Sequence, residues 1–464
     1  MSSNTPTKTI NQVWRTDWLS TRPVFYNLKT KKISHNVNDV IDFADLQFHP
    51  EGFNTYLDVG FSVLGQTPVQ NVKFLPPNSE IRLTETGELE IKTLPDPVDQ
   101  YIDYKLSETD IIDLIREKLA VWEKNIDGEI IVPLSGGYDS RLLISLFPTQ
   151  SKIRAYTYGL SPKQEECFEV VIAQAVCKKL GIQWQQIELG DFHQYFDDWN
   201  QIFGVSIHAH GMYQVEFYHK ILSISGEAEK NLVNGIGGAF TTVRKGVYPE
   251  IQSADDIRHL MKFHGMKADS RFSKLSGEYF AQQEYFENHF EKLKAYRHRK
   301  IGLMRLHLML LGYLVKLPEA FGMNVCAPLL DIDVATAILN LPEGRRENKQ
   351  WLLDYFRKSG IDFSELSAKT LYRNTLNFQA IKRIPPDPLN KDLFKEIIEE
   401  DYIDWINRNL KRFGMIENAY WNFTRLPKIN RVLKWVNIVD ERKAAYFAYL
   451  TLKPIEYVLN HGKQ

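Results

Sequence analysis

Two short apolar runs, residues 130–134 and 142–146, flank the polar stretch Ser135-Gly136-Gly137-Tyr138-Asp139-Ser140. That pattern predicts a strand, a tight turn and a helix in immediate succession. Upstream, Ile111, Leu114, Ile115, Leu119 and Trp122 recur at helical spacing behind Ser107-Glu108-Thr109-Asp110, a capping-box signal for a helix start. Downstream the periods alternate. Residues 153–158 read as a strand, 165–180 as a helix closed by Gly181, 182–189 as a strand, 212–224 as a helix and 231–234 as a strand. Strand–helix alternation at these lengths predicts an α/β fold with a doubly wound parallel sheet, whose ligands sit at the carboxyl ends of the strands.

The flanks differ from this centre. Residues 1–100 read as a small β-rich N-terminal domain, with aromatic and β-branched residues between turn formers. Thr86-Gly87 marks a hairpin, and Asn78 ends the turn Leu75-Pro76-Pro77-Asn78 in a position that tolerates a left-handed backbone. The prolines at 95–97 mark a linker, which divides the chain into 1–100 and 101–464. Residues 250–310 read as helical and polar, with aromatics throughout, and 380–464 as helical additions rich in Tyr and Trp.

Composition narrows the partners. The chain has 464 residues and a formal net charge of −1, so nothing draws the whole molecule to nucleic acid or to an anionic membrane. The basic cluster at 294–300 reads as a solvated helix face. Three cysteines, Cys167, Cys177 and Cys326, cannot all pair and have no metal spacing, which fits free thiols in a reducing, cytoplasmic setting. Neither an apolar signal core nor an apolar run near ~18 residues is expected to anchor the chain in a membrane. His208 and His210 could both ligate a metal, but no third ligand stands at a sensible spacing. A homodimer is compatible with the reading.

The chemistry concentrates in the central turn. Adjacent glycines, Gly136 and Gly137, let the backbone turn sharply. The turn and the first turn of the helix then present N–H donors to one spot, which favours an anion. Ser135 and Ser140 add hydroxyls. Asp139 repels a bare phosphate but suits one that carries a divalent cation. The stretch therefore reads as a site for the pyrophosphate of a magnesium nucleotide. A Walker loop would need a Gly-Lys-Ser/Thr end, and a dinucleotide fingerprint a third glycine in register; neither is present.

The string resembles the Ser-Gly-Gly-x-Asp-Ser signature of the PP-loop ATP pyrophosphatases, which cleave ATP between the α and β phosphates. Further marks, in order over roughly residues 50 to 375, resemble asparagine synthetases and β-lactam synthetases. They are Leu75-Pro76-Pro77-Asn78, the loop Asn234-Gly235-Ile236-Gly237-Gly238-Ala239, the segment Pro328-Leu329-Leu330-Asp331, and Leu339-Asn340-Leu341-Pro342. The resemblance implies a PP-loop (adenine nucleotide alpha-hydrolase-like) sheet. It implies ATP contacts from Leu134, Ser135, Gly136, Gly137, Asp139, Ser140, Tyr158, Gly159, Gly235 and Gly237, with Mg2+ on Asp139. In the family one lysine contacts pyrophosphate and a second, about twenty residues on, serves the reacting acyl group. Lys349 and Lys369 have that separation, with Arg373 a near substitute for the latter.

Departures shape the expected function. The family glutaminase uses an N-terminal cysteine, whereas Ser2 stands here and the first cysteine is Cys167, so the front segment reads as an inactive glutaminase remnant. Ile236 and Ala239 replace family carboxylates, and Asn324 and Cys326 replace an acid and an arginine. The resemblance thus implies an AMP-forming amide ligase. It would adenylate a small-molecule or peptide carboxylate and pass it to ammonia or an amine, in a specialised sugar, antibiotic or peptide modification. The other readings are a catalytically silent nucleotide-binding or scaffold protein of the same fold, and a tRNA-modifying PP-loop enzyme, which the neutral charge disfavours.

Overall fold

The computed structural model describes residues 12–226, 230–238, 240, 242, 250–262, 265–368, 370, 374–411 and 440–462. Its centre is a parallel sheet of five strands. These are β7 (Glu129–Pro133), β8 (Ile153–Thr157), β9 (Gln183–Gln186), β10 (Lys230–Val233) and β11 (Asn324–Cys326), in the spatial order β11-β10-β7-β8-β9. The chain runs outward from β7 through β8 to β9, then returns to place β10 on the other side of β7. The strand order therefore reverses between β7 and β10. In open sheets of this kind a crevice opens there, beyond the carboxyl ends of the strands.

Alternation along β7 explains why its apolar run is unbroken. Ile130 and Val132 point into one buried cluster and Ile131 into the other, so both faces of the strand are covered. Helix Tyr138–Leu146, with Leu142 and Leu143 fully buried, covers the first face. Helix Tyr213–Ser225 covers the second through Val215, Phe217 and Ile221. Edge strand β9 is Gln-Trp-Gln-Gln, with alternating exposed and partly buried positions. The strand is shorter than residues 182–189: Ile182 and Leu189 pack into the cores without joining the ladder.

Several sequence signals appear in the backbone. Ser107 and Asp110 form the reciprocal capping box of helix Glu108–Lys124, and Gly181 (φ +69) closes helix Phe168–Leu180. That helix starts three residues later than expected, because residues 164–166 tighten into a 3-10 turn. Asn78 has φ +54 and Gly87 φ +81, as their turns require.

The front of the chain forms two small antiparallel sheets. β1 (Val13–Arg15), β5 (Ser79–Leu83) and β6 (Leu89–Thr93) make one. β2 (Phe25–Asn27), β3 (Ile33–Ser34) and β4 (Val72–Phe74) make the other. One stretch read as β-rich is helical: residues 55–59 belong to helix Pro50–Val59. Pro50 opens that helix at a position needing no N–H, the His49 imidazole accepts from the Gly52 amide, and Gly60 closes it with φ +86. Trp18 ties the front to the sheet. Its indole N–H donates to the Leu330 carbonyl at 3.0 Å, and its ring lies 6.1 Å from that of Phe240.

One helical stretch, Tyr296–Ala320, is long and apolar enough by length and composition to cross a membrane, contrary to the expectation from sequence. Its apolar window is 72% buried inside the protein, which makes it a core helix of this fold. The three cysteines are free thiols, with Cys167 and Cys177 buried.

Candidate functional site

The turn after β7 is built by one strained-looking but glycine-compatible step. Gly136 has φ +67, and a Cβ there would stand 3.0 Å from the Glu169 carbonyl oxygen and from the Ile172 side chain. Gly137 caps helix Tyr138–Leu146 and, having no side chain, supplies no acceptor to the first-turn amides. Those donors are thus oriented toward the end of the sheet. The Ser135 hydroxyl accepts weakly from the Gly137 amide at 3.3 Å and lies 3.3 Å from the Ser140 hydroxyl, which folds the turn over itself. Ser135 is exposed and Ser140 buried.

Arg141, not singled out in the sequence, braces the turn. One guanidinium nitrogen donates to the Gly136 carbonyl at 2.6 Å, and the group stacks near the rings of Tyr138 and Phe356, 5.5 and 5.1 Å from their centres. Leu134 follows β7 directly. Its side chain is buried, its amide donates to the Tyr156 carbonyl and its carbonyl accepts from the Thr157 hydroxyl at 2.6 Å.

The loop after β10 meets this turn across the switch point. Gly235 packs so closely on the helix start that a Cβ would lie 3.0 Å from the Ser140 amide nitrogen. A Cβ on Gly238 would lie 2.4 Å from Asp139 Oδ2. Gly237, at φ +121, instead closes against Leu329. The glycine spacing therefore serves close approach of backbone to backbone and to carboxylate. The Ile236 side chain is buried in the core, and its amide is held by Asn234 Oδ1 at 2.8 Å. Ala239 lies outside the described residues.

Lys349 reaches the same spot from far along the chain. Its ammonium donates to both oxygens of Asp139, at 2.9 and 2.8 Å, with both side chains about four-fifths buried (17% and 20% exposed). Lys349 and the preceding Asn348 both adopt left-handed backbone, φ +56 and +51, sparsely populated for residues with a Cβ. The anchors of that kink are visible. Arg345 pairs with Glu108 and Asp354, and buried Arg346 donates to the Leu341 carbonyl. Lys369 and Arg373 lie outside the described residues.

Tyr158 and Gly159 follow β8. The Tyr158 ring packs on Tyr213 and Phe217, its hydroxyl accepts from Gln214 at 2.7 Å, and burial pushes its phenol well above the usual tyrosine range. Gly159 is needed because Gln164 doubles back onto it; a Cβ would stand 2.4 Å from the Gln164 carbonyl oxygen. Asp331 pairs with Lys118 at 3.0 Å, and burial pushes its carboxyl up. Burial pushes the Cys326 thiol up, to about 12. His208 is buried and His210 partly buried, the His208 ring accepting from the His210 amide, and no group of three metal-ligating side chains occurs among the described residues.

Can this set hold magnesium? Asp139 offers one carboxylate at the head of a helix, beside hydroxyls and amides suited to phosphate. That fits a cation that brings phosphate oxygens and water as its other ligands; it does not fit a cation held by protein alone.

Fold and site together define a mixed α/β protein whose charged cluster sits at the switch point of a parallel sheet. No family model matches the chain, and no curated protein matches it. Among solved structures, the chain is similar to an NH3-dependent NAD synthetase from Campylobacter jejuni subsp. jejuni NCTC 11168, described in complex with the nitrate ion. The identity is 13%, the match covers 52% of this chain and 96% of that one, and the TM-score is 0.23. At that score the likeness bears on neither the chemistry nor the site.

Proposed function

We propose that this chain is an ATP-dependent, AMP-forming amide ligase of the PP-loop, asparagine synthetase-like kind. One observation carries the reading: Asp139 and Lys349, 210 positions apart, meet at the head of the helix that follows the Ser-Gly-Gly turn, at the switch point. A structural ion pair has no need of uncapped helix amides, two serine hydroxyls and a glycine-only wall around it. A triphosphate has need of all of them.

In this reading the turn amides and the hydroxyls of Ser135 and Ser140 hold the β and γ phosphates. Lys349 leaves Asp139 to meet the departing pyrophosphate, and Asp139 becomes the carboxylate for Mg2+. Bound magnesium would supply neutralising charge on the phosphates. A substrate carboxylate oxygen attacks the α phosphorus, and the bond to the bridging α–β oxygen breaks. Ammonia or an amine then attacks the acyl carbon, loses a proton, and AMP departs. Positive charge fixed in advance at the leaving group lowers the barrier because it need not reorganise during reaction. Lys369 is proposed to serve the acyl transfer.

The test is pyrophosphate release from ATP against panels of carboxylates and amines. Release that depends on both, with AMP as the partner product, supports the proposal; ADP formation, or failure to bind ATP at all, overturns it. A second reading has its own support: Ile236, which stands where the family resemblance puts a carboxylate, is buried in the hydrophobic core. Tight ATP binding with no turnover across the panel would favour a silent nucleotide-binding protein.

A further inference from the structure

A second concavity, of about 600 Å³, lies between the front sheets and the helical layer, and its lining shares no residue with the cluster around Asp139. Its origin is visible in the helix faces. Helix Ala281–Leu293 turns the stripe Glu284, Tyr285, Asn288 and His289 toward the front of the chain. A helix that merely packs would present aliphatic residues on such a stripe. Facing it, helix Tyr296–Leu311 offers Gly302 at mid-stripe. A Cβ there would stand 3.3 Å from the Tyr285 hydroxyl and 3.4 Å from a Leu293 methyl, so the glycine lets the two helices approach closely beside the cavity.

The polar groups divide into spent and unspent. Arg305 and Asp96 are spent: both guanidinium ends donate to the two carboxylate oxygens at 2.8 Å, and Arg305 Nε donates to the Trp18 carbonyl. Lys292 pairs with Asp99 at 2.6 Å. His289 donates from Nδ1 to the Tyr285 carbonyl, which leaves its Nε2 an acceptor, and its ring stacks on Tyr285 at 4.2 Å. His298 Nδ1 is buried with no hydrogen-bond partner among the described residues. Two ionised groups on opposite walls, Lys73 on β4 and Glu284 on the helix, take part in no ion pair or side-chain hydrogen bond among the described residues. The cavity is also lined by apolar side chains, among them Leu64, Phe74, Leu306 and Met309.

One unspent cation, one unspent anion and apolar side chains in the same lining suit a small molecule that carries both charges. A cavity of this volume is the size of an ordinary small-molecule site. We propose that this cavity binds a zwitterionic ligand of the amino-acid or dipeptide class, its carboxylate toward Lys73, its ammonium toward Glu284 and its apolar side chain over Phe74 and Met309.

The test is calorimetric titration and thermal shift of the full chain, without ATP, using the twenty common amino acids and glycylphenylalanine. Phenylethylamine and phenylpropionate are the single-charge controls. Because no nucleotide is present, the outcome is independent of the ligase reading. At least one zwitterion should bind, with its single-charge analogues weaker by about tenfold or more. Lys73→Gln and Glu284→Gln, at exposed positions, should each weaken it by about tenfold while leaving the fold intact. Gly302→Leu should abolish binding. Absence of binding by every zwitterion, equal binding of the single-charge controls, or unchanged binding in Lys73→Gln and Glu284→Gln would overturn the proposal.

Discussion

At the scale of single residues, the site rests on where side chains are forbidden as much as on where they act. Gly238 is the sharpest case. An alanine methyl there would occupy the place of Asp139 Oδ2, so the carboxylate must turn away. Misplacement by about 1 Å can cost about 100-fold in a positioned reaction. Gly238→Ala should therefore lower pyrophosphate release by about that factor while the thermal unfolding midpoint moves little. Asp139→Asn keeps the volume and removes the charge; it should lower release by about 100-fold or more, and Lys349→Ala by a similar factor. A full-rate enzyme with either substitution would remove the pair from the chemistry.

At the scale of elements, the parts built from local signals could be read in advance. The turn 135–140 is legible because two glycines and a following apolar run leave few alternatives. The Ser107 cap is legible because its partner stands three residues on. Losing that cap, Ser107→Ala, should destabilise the chain by about 1 kcal/mol in chemical denaturation, with no change in nucleotide binding. Arg141 is different. Nothing in the helical pattern says that a charged residue five positions after Gly136 would curl back, buried, onto that glycine's carbonyl. Arg141→Met leaves that carbonyl without its donor and should cost about 1–3 kcal/mol, with weakened ATP binding as a second readout. The helix at 50–59 was hidden for another reason: its Tyr, Leu and Val mimic a strand, and only Pro50 and Gly60 mark its ends. The surroundings of Leu134, Tyr158 and Gly159 are set by strands and helices distant in sequence, which a motif does not encode.

At the scale of the whole molecule, acid should unfold this protein through its buried imidazoles. Burial pushes His193, His210 and His307 down from about 6.5 to about 4. In the unfolded chain each binds a proton near pH 6.5; in the folded chain each waits until about pH 4. Between those values the unfolded state holds more protons, so stability rises with pH. Their contribution is complete above about pH 6.5 and is lost as pH falls toward 4. Urea midpoints measured from pH 7.5 to 4 should decline across that window; a flat profile would mean the imidazoles are not buried neutral.

The Asp139–Lys349 contact also sets an order on how the protein comes into being. A ribosome adding about 5–20 residues each second needs roughly 10–40 s to travel from the first partner to the second. Through that interval the growing polypeptide already contains the Ser-Gly-Gly bend but lacks the lysine that answers it. Grip on a triphosphate should accordingly be absent from stalled nascent chains that end before position 349, and should arrive only once that lysine has cleared the exit tunnel.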